Sequence, residues 1–236
     1  MHIHCDKNTK EVISFLGPPG SGKGTISQKW QEQEGVIVLS PGALCREHIA
    51  EKTELGKDFE RYISQGQLIP GSIVSTMVSQ WLGRHKTHND TILLDGFPRT
   101  RQQVDDWVAI MKDTMPEYSA RVVLFDISHE TIIDRIKNRI ECTSVDCRKV
   151  FSAHVFGGTP VVCPVCGAQL HRRSDDSVDV VRKRLAVYEE NKAELLQRYQ
   201  ELGMTIEVFD VENVALHEMF TSFSRLLYKE KAAAVL

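Results

Sequence analysis

Val12-Ile-Ser-Phe-Leu16 runs directly into Gly17-Pro-Pro-Gly-Ser-Gly-Lys23-Gly24-Thr25, and a helical pattern follows from Thr25 to Gln33. The order is apolar strand, glycine-rich turn, helix. Glycines at 17, 20, 22 and 24 allow the backbone to coil so that successive N–H groups face inward, where they can cradle phosphate oxygens. The helix that follows aims its partly positive end at the same point. A lysine at the end of such a loop can reach the outer phosphates of a nucleoside triphosphate. The hydroxyl that usually follows it comes one place late, as Thr25. The loop therefore predicts a triphosphate-binding site made of Gly17, Gly20, Ser21, Gly22, Lys23, Gly24 and Thr25, with Thr25 offering an oxygen near a magnesium ion.

Working outward, four more apolar runs follow Val12–Leu16, at Val36–Leu39, Thr91–Leu94, Arg121–Phe125 and Thr205–Phe209. Helical stripes lie between them: Ile73 to Leu82, Val104 to Met111, Ile132/Ile133/Ile136/Ile140, Val178 to Tyr199, and Leu216 to Leu227. Strands alternating with helices predict an α/β fold, a five-stranded parallel sheet covered on both faces. Two stretches break the alternation. Residues 40–70 are mostly polar, and residues 141–176 are rich in Cys, Gly and Pro. Both are read as small insertions into a single domain spanning 1–236, placed where parallel sheets bind ligands. The tail Lys229–Leu236 is expected to fray.

Charge is nearly balanced, with 29 basic and 32 acidic residues among 236. That argues against nucleic-acid or membrane-surface binding driven by net charge. No apolar run reaches the roughly 18 residues of a spanning helix, and Met1–Lys10 has no signal-peptide core. A cytoplasmic setting is the expectation. Four of six cysteines fall between 142 and 166, as Cys142-x4-Cys147 and Cys163-x2-Cys166. In a reducing compartment this spacing suits a tetrahedral structural zinc, with four free thiols as the alternative. Cys5 and Cys45 stand apart and are read as spare thiols, and the histidines as structural.

A second informative run is Asp95-Gly-Phe-Pro-Arg99-Thr-Arg-Gln-Gln103. A carboxylate ending a buried strand beside a phosphate loop can hold magnesium directly or through water. Gly96 permits close approach of a ligand, and Arg99 offers a bidentate donor to phosphate. On their own Asp95 could be a helix cap and Arg99 a surface ion pair. Arg135 and Arg139 sit four apart and would share a helical face.

The loop, the Asp95-Gly-Phe-Pro-Arg-Thr run and the arginines together resemble the adenylate kinases, in the long form with a zinc-binding lid, over about residues 12 to 225. The resemblance implies a P-loop NTPase-type sheet with a monophosphate-binding insertion at 40–70 and a zinc-binding lid at 141–176. It implies phosphoryl transfer between MgATP and AMP, giving two ADP, by a monomer. By position, Arg46, Gly96, Arg99 and Gln103 would bind AMP, Gln103 through the adenine edge. Arg135 would lie over the ATP base. Lys23, Arg99, Arg139, Arg173 and Arg184 would surround the transferring phosphoryl group, and Arg173 and Arg184 would also touch AMP. Cys142, Cys147, Cys163 and Cys166 would hold the zinc, the first pair with two residues more between them than is usual for the family.

Three positions depart from the family pattern. Pro41 stands in place of a threonine, Ala43 in place of an aspartate near the magnesium, and Gly71 in place of an aspartate cap, where Ser72 could serve instead. The first two leave open a kinase using GTP or a pyrimidine monophosphate, or a nucleotide-binding protein with degraded catalysis.

Overall fold

A computed structural model describes residues 10–85, 91–157, 162–173, 175–214 and 218–233. Strand β1 (Glu11–Leu16) leads through the glycine loop into helix α1 (Lys23–Glu34), and β2 (Ile37–Leu39) follows. Two short helices come next, α2 (Pro41–Ala50) and α3 (Glu54–Ser64), then α4 (Gly71–His85). Strand β3 (Thr91–Asp95), helix α5 (Arg101–Thr114), strand β4 (Ser119–Asp126) and helix α6 (His129–Lys137) continue the alternation. A second, small sheet is formed by β5 (Arg139–Cys142), β6 (Val150–Ser152) and β7 (Leu170–His171), with a 3-10 turn at Ala153–Phe156. The 24-residue helix α7 (Val178–Glu201), strand β8 (Ile206–Asp210) and helix α8 (Met219–Ala233) complete the chain.

The main sheet is five-stranded and parallel, in the order β2-β3-β1-β4-β8. Side chains alternate with period two, so its strands feed two cores. Val12, Leu16, Ile92, Leu94, Val122 and Leu124 face one side, against α4, α5 and α7. Ile13, Phe15, Leu93, Val123 and Phe125 face the other, against α1 and α8. Trp107 and Tyr199 meet edge to face in the first core, and Phe15, Trp30, Phe125 and Phe223 interlock in the second. Each such fully buried large side chain contributes about 1.5–3 kcal/mol. The glycine loop and Asp95 leave the carboxyl ends of adjacent strands β1 and β3, where strand order reverses and parallel sheets open a crevice.

Several local expectations are corrected. Helix α6 stops at Lys137, so Arg135 and Arg139 do not share a helical face. Asn138 caps it, with Nδ2 donating 2.9 Å to Asp134 O, and Arg139 opens strand β5 of the small sheet. The Ile140 that looked helical is buried by strand alternation instead. Neither Gly71 nor Ser72 caps α4. Pro70 does, its carbonyl accepting from Val74 N at 3.3 Å. Pro41 is the first residue of α2 and buried; its fixed φ and missing N–H suit that position. Ile73, counted in a buried stripe, is 37% exposed. Helix α8 continues to Ala233, so the backbone from 229 to 233 is helical. Cys5 and Leu216 lie outside the described residues. Among the described residues no helix is long and apolar enough to cross a membrane.

Candidate active site

The loop after β1 holds its shape through left-handed glycines and tight packing. A Cβ at Gly20 (φ 81°) would come within 2.9 Å of Ile136 on α6, and one at Gly22 (φ 98°) within 2.5 Å of Met219 on α8. Side chains are excluded there by the walls as well as by the dihedrals. No side chain caps the α1 N-terminus, which leaves its first N–H groups for an anion. Lys23 folds over the loop, its Nζ donating to Gly17 O and Pro18 O at 2.8 Å and to Ser21 Oγ at 3.0 Å. Burial lowers its pKa to about 7; Asp95 opposes that shift and Arg99, Arg184 and Arg139 reinforce it.

One cavity of about 510 Å³ runs from this loop across the sheet edge. Every nucleotide-site residue anticipated from the sequence lines it: the loop residues Gly17, Gly20, Ser21, Gly22, Lys23, Gly24 and Thr25, with Arg46, Asp95, Gly96, Arg99, Gln103, Arg135, Arg139, Arg173 and Arg184. They come from six separate stretches of the chain, so only the fold brings them together. Asp95 sits against the loop, its Oδ2 3.7 Å from where a Cβ of Gly24 would be. Gly42 lies between Arg46 and Arg99; its absent Cβ would touch both guanidinium groups, at 3.5 and 3.9 Å. Arg99 donates through Nε to Gly96 O at 2.7 Å. It is open to the cavity yet ringed by protein, and that desolvation disfavours its charge. Burial likewise lowers Arg46 and Arg184 to about 10.

Arg135 lines the cavity, as does Val214; its Nη2 donates to Val211 O at 2.9 Å, and its Nη1 is buried with no hydrogen-bond partner among the described residues. Gln103, also in the cavity wall, is buried, with Oε1 accepting from Arg99 N at 2.7 Å. That contact orients the amide and leaves Nε2 as the group free to donate.

Carboxylates hold the arginines on the lid side. Asp176 pairs with Arg139, accepting from its Nε at 2.8 Å and again from Nη2. Asp175 accepts from Arg184 Nη1 at 2.9 Å, and Glu141 accepts from Arg173 Nε. Burial alone would raise Asp175, but Arg184, Arg46 and Arg173 outweigh it and hold its pKa below the usual range. Sequence reading assigned no role to these acids. The Asp175-Asp176 pair beside Arg173 was the visible signal; Glu141 gave none, because its placement depends on where α6 ends.

The four clustered cysteines do meet, with all four Sγ atoms within 4.8 Å of one another. Cys142 and Cys166 sulfurs are 3.4 Å apart, and Cys147 and Cys163 sulfurs 3.8 Å. Four thiolates around a zinc ion would stand about 3.8 Å apart, so the donor set fits. Both halves close alike. The residue after the second cysteine is left-handed in each, Arg148 (φ 45°) and Gly167 (φ 76°), so the longer first half still completes its turn. Residues 141–176 are joined to the rest of the protein by the Asp175 and Asp176 pairs above and also by the first cysteine knuckle. Gln28 Nε2 donates to Cys147 O at 2.9 Å, Lys149 pairs with Glu32 at 2.7 Å, and Arg148 with Glu47 at 3.1 Å.

Comparison with known proteins agrees with this architecture. The family model described as adenylate kinase matches residues 15–204. Among curated relatives, the adenylate kinase of Chlamydia abortus is 40% identical over 190 residues, covering 80% of this chain and 85% of its own. That of Thermococcus kodakarensis is 36% identical over 199 residues, covering 83% and 85%. That of Clostridium botulinum is 33% identical over 222 residues, covering 93% and 99%. The family-model match takes in the glycine loop, Asp95–Gln103 and the four clustered cysteines, and the chain belongs to the adenylate kinase family.

Proposed function

We propose that this enzyme transfers the γ-phosphoryl group of MgATP to AMP, reversibly, giving two ADP. The observation that carries this reading is that one cavity is lined by Arg135 and Gln103, the two candidate base readers, together with the six cations assigned to the phosphates. Those cations are Lys23, Arg46, Arg99, Arg139, Arg173 and Arg184. Triphosphate bound on the loop would face AMP held through Arg46 and Arg99. An AMP phosphate oxygen would attack the γ-phosphorus in line as the bond to the ADP oxygen breaks, so no covalent enzyme intermediate is needed. The residues position and neutralise rather than react.

Thr25 and Asp95 would hold magnesium, Asp95 directly or through water, and the ion would offset charge on the β- and γ-phosphates when bound. The four cysteines would hold a structural zinc that makes the small lid rigid, since four protein ligands leave no open position. We read the enzyme as a cytoplasmic monomer whose partners are ATP, AMP and ADP. Clustered free thiols suit a reducing compartment, and near-balanced charge gives no pull toward nucleic acid or membranes.

A coupled assay with MgATP and a panel of nucleoside monophosphates tests the reading. Fast turnover with AMP alone is expected. Preference for another monophosphate would reassign the acceptor, with Pro41 and Ala43 as the residues responsible. Tight binding of an ATP–AMP bisubstrate analogue without turnover with any acceptor would make the protein a nucleotide-binding module.

A further inference from the structure

We propose that Glu141 is a positioning residue for phosphoryl transfer, which grips Arg173 by its Nε and so presents the two terminal nitrogens of that guanidinium to the cavity. The inference rests on the proposed role of Arg173. Strand β5 sets up the geometry. Along Arg139-Ile-Glu-Cys142, Ile140 and Cys142 are buried while Arg139 and Glu141 share the opposite face. Glu141 is thereby turned toward the arginines instead of solvent. Its Oε2 accepts from Arg173 Nε, both side chains being 17% exposed. Its Oε1 lies 3.6 Å from His171 Nε2, across the β5–β7 pairing that joins Glu141 to His171. Arg173 is among the residues lining the cavity and Glu141 is not.

Which nitrogen is held matters. A guanidinium presents its donors in a fixed planar fork. Arg139 commits both Nε and Nη2 to Asp176, and Arg184 commits Nη1 to Asp175. Each must share or release a donor edge to meet phosphate there. Arg173 is held from the rear, through Nε, so its fork is ready in advance. An arginine without that support would sample many rotamers and lose part of its benefit to the transition state.

The test is a double-mutant cycle on the full-length enzyme, with zinc content and melting temperature measured for each variant. Arg173→Ala is expected to lower kcat about a hundredfold or more. Glu141→Ala is expected to lower kcat about tenfold without raising KM for ATP or AMP, as misplacement of one group does. In the Arg173→Ala background the same substitution should change kcat by less than about twofold, because it acts only through the arginine. Glu141→Gln keeps an oxygen for Nε and should retain more activity than Glu141→Ala. It also keeps the cycle informative should the alanine variant not fold. The Arg173 Nε–H resonance in labelled protein should lose its protection from exchange in Glu141→Ala. Equal losses from Glu141→Ala in both backgrounds, or wild-type kcat in Glu141→Ala while Arg173→Ala is crippled, would overturn the inference and leave the role of Arg173 intact. Wild-type turnover in Arg173→Ala would remove that role, and the inference with it.

Discussion

Lys23 is the residue at which charge, burial and ligand meet most directly. Its ammonium is satisfied by two loop carbonyls and a hydroxyl, yet burial lowers its pKa to about 7. Phosphates arriving beside it favour the charged form and must raise that value. Below pH 7 the lysine is already protonated. Above it, nucleotide binding has to draw a proton from solvent. ATP binding at pH 8 is therefore expected to take up a proton, and affinity to fall between pH 7 and 9 by at most about tenfold per unit. Calorimetry in buffers of different ionisation enthalpy measures the uptake; its absence in wild-type protein would refute the shift. Lys23→Met should abolish the uptake and lower kcat about a hundredfold or more, with the fold retained. Gln103 makes a second point at this scale. The sequence offers it as a candidate base reader, but not which end of its amide can donate, since a contact with Arg99 N decides which way the amide faces.

Among the elements, the break between α6 and β5 has the largest consequence. The apolar stripe Ile132/Ile133/Ile136/Ile140 reads as one helix because Ile140 falls on the helical period. Asn138 ends the helix by bonding back to Asp134, and the chain then pairs with β6 and β7. That switch from a period of 3.6 to a period of 2 turns Arg139 and Glu141 to the same side. No local preference marks the change, because strands this short form only when their partners, outside the segment itself, are in place. The small sheet has few buried apolar residues, and its cysteines converge at its tip. A metal assay should find about one zinc per chain. Chelation should lower the melting temperature and loosen the lid before the main sheet unfolds. A metal-free protein whose melting is indifferent to chelator would leave the four thiols as a packing feature only.

For the whole molecule, residues 141–176 are anchored at their base by the part-buried pairs Arg139–Asp176 and Arg184–Asp175, while the first cysteine knuckle meets the body through a few surface contacts. Lys149–Glu32 and Arg148–Glu47 are half-exposed pairs, and the second reaches α2. Each is worth about 0–1 kcal/mol and is weakened by salt. Contacts this weak at the knuckle would suit opening of residues 141–176 in each cycle, as the proposed lid role requires. If opening limits turnover, Glu32→Gln combined with Glu47→Gln should raise kcat and KM together by about two- to fivefold. High salt should mimic the double variant in wild-type enzyme and do little more to the variant itself. Unchanged kinetics in steady-state assays at low and high salt would exclude these pairs from closure.

What the sequence determined by itself was whatever depends on neighbours in the chain. The strand–loop–helix unit at 12–33, the alternation that builds the parallel sheet, and the Cys-x2-Cys turn are encoded over a few residues each. The charge types in the cleft were legible for the same reason, since the loop lysine and Asp95-Gly-Phe-Pro-Arg99 are contiguous. Only the tertiary structure decided which acid holds which arginine, where α6 yields to β5, and how the first cysteine pair closes despite its longer gap. Those outcomes depend on groups far apart in the chain, such as Glu141 with Arg173 and Gln28 with Cys147. Their cost in chain entropy is met only once the whole fold has formed, so no local pattern could announce them.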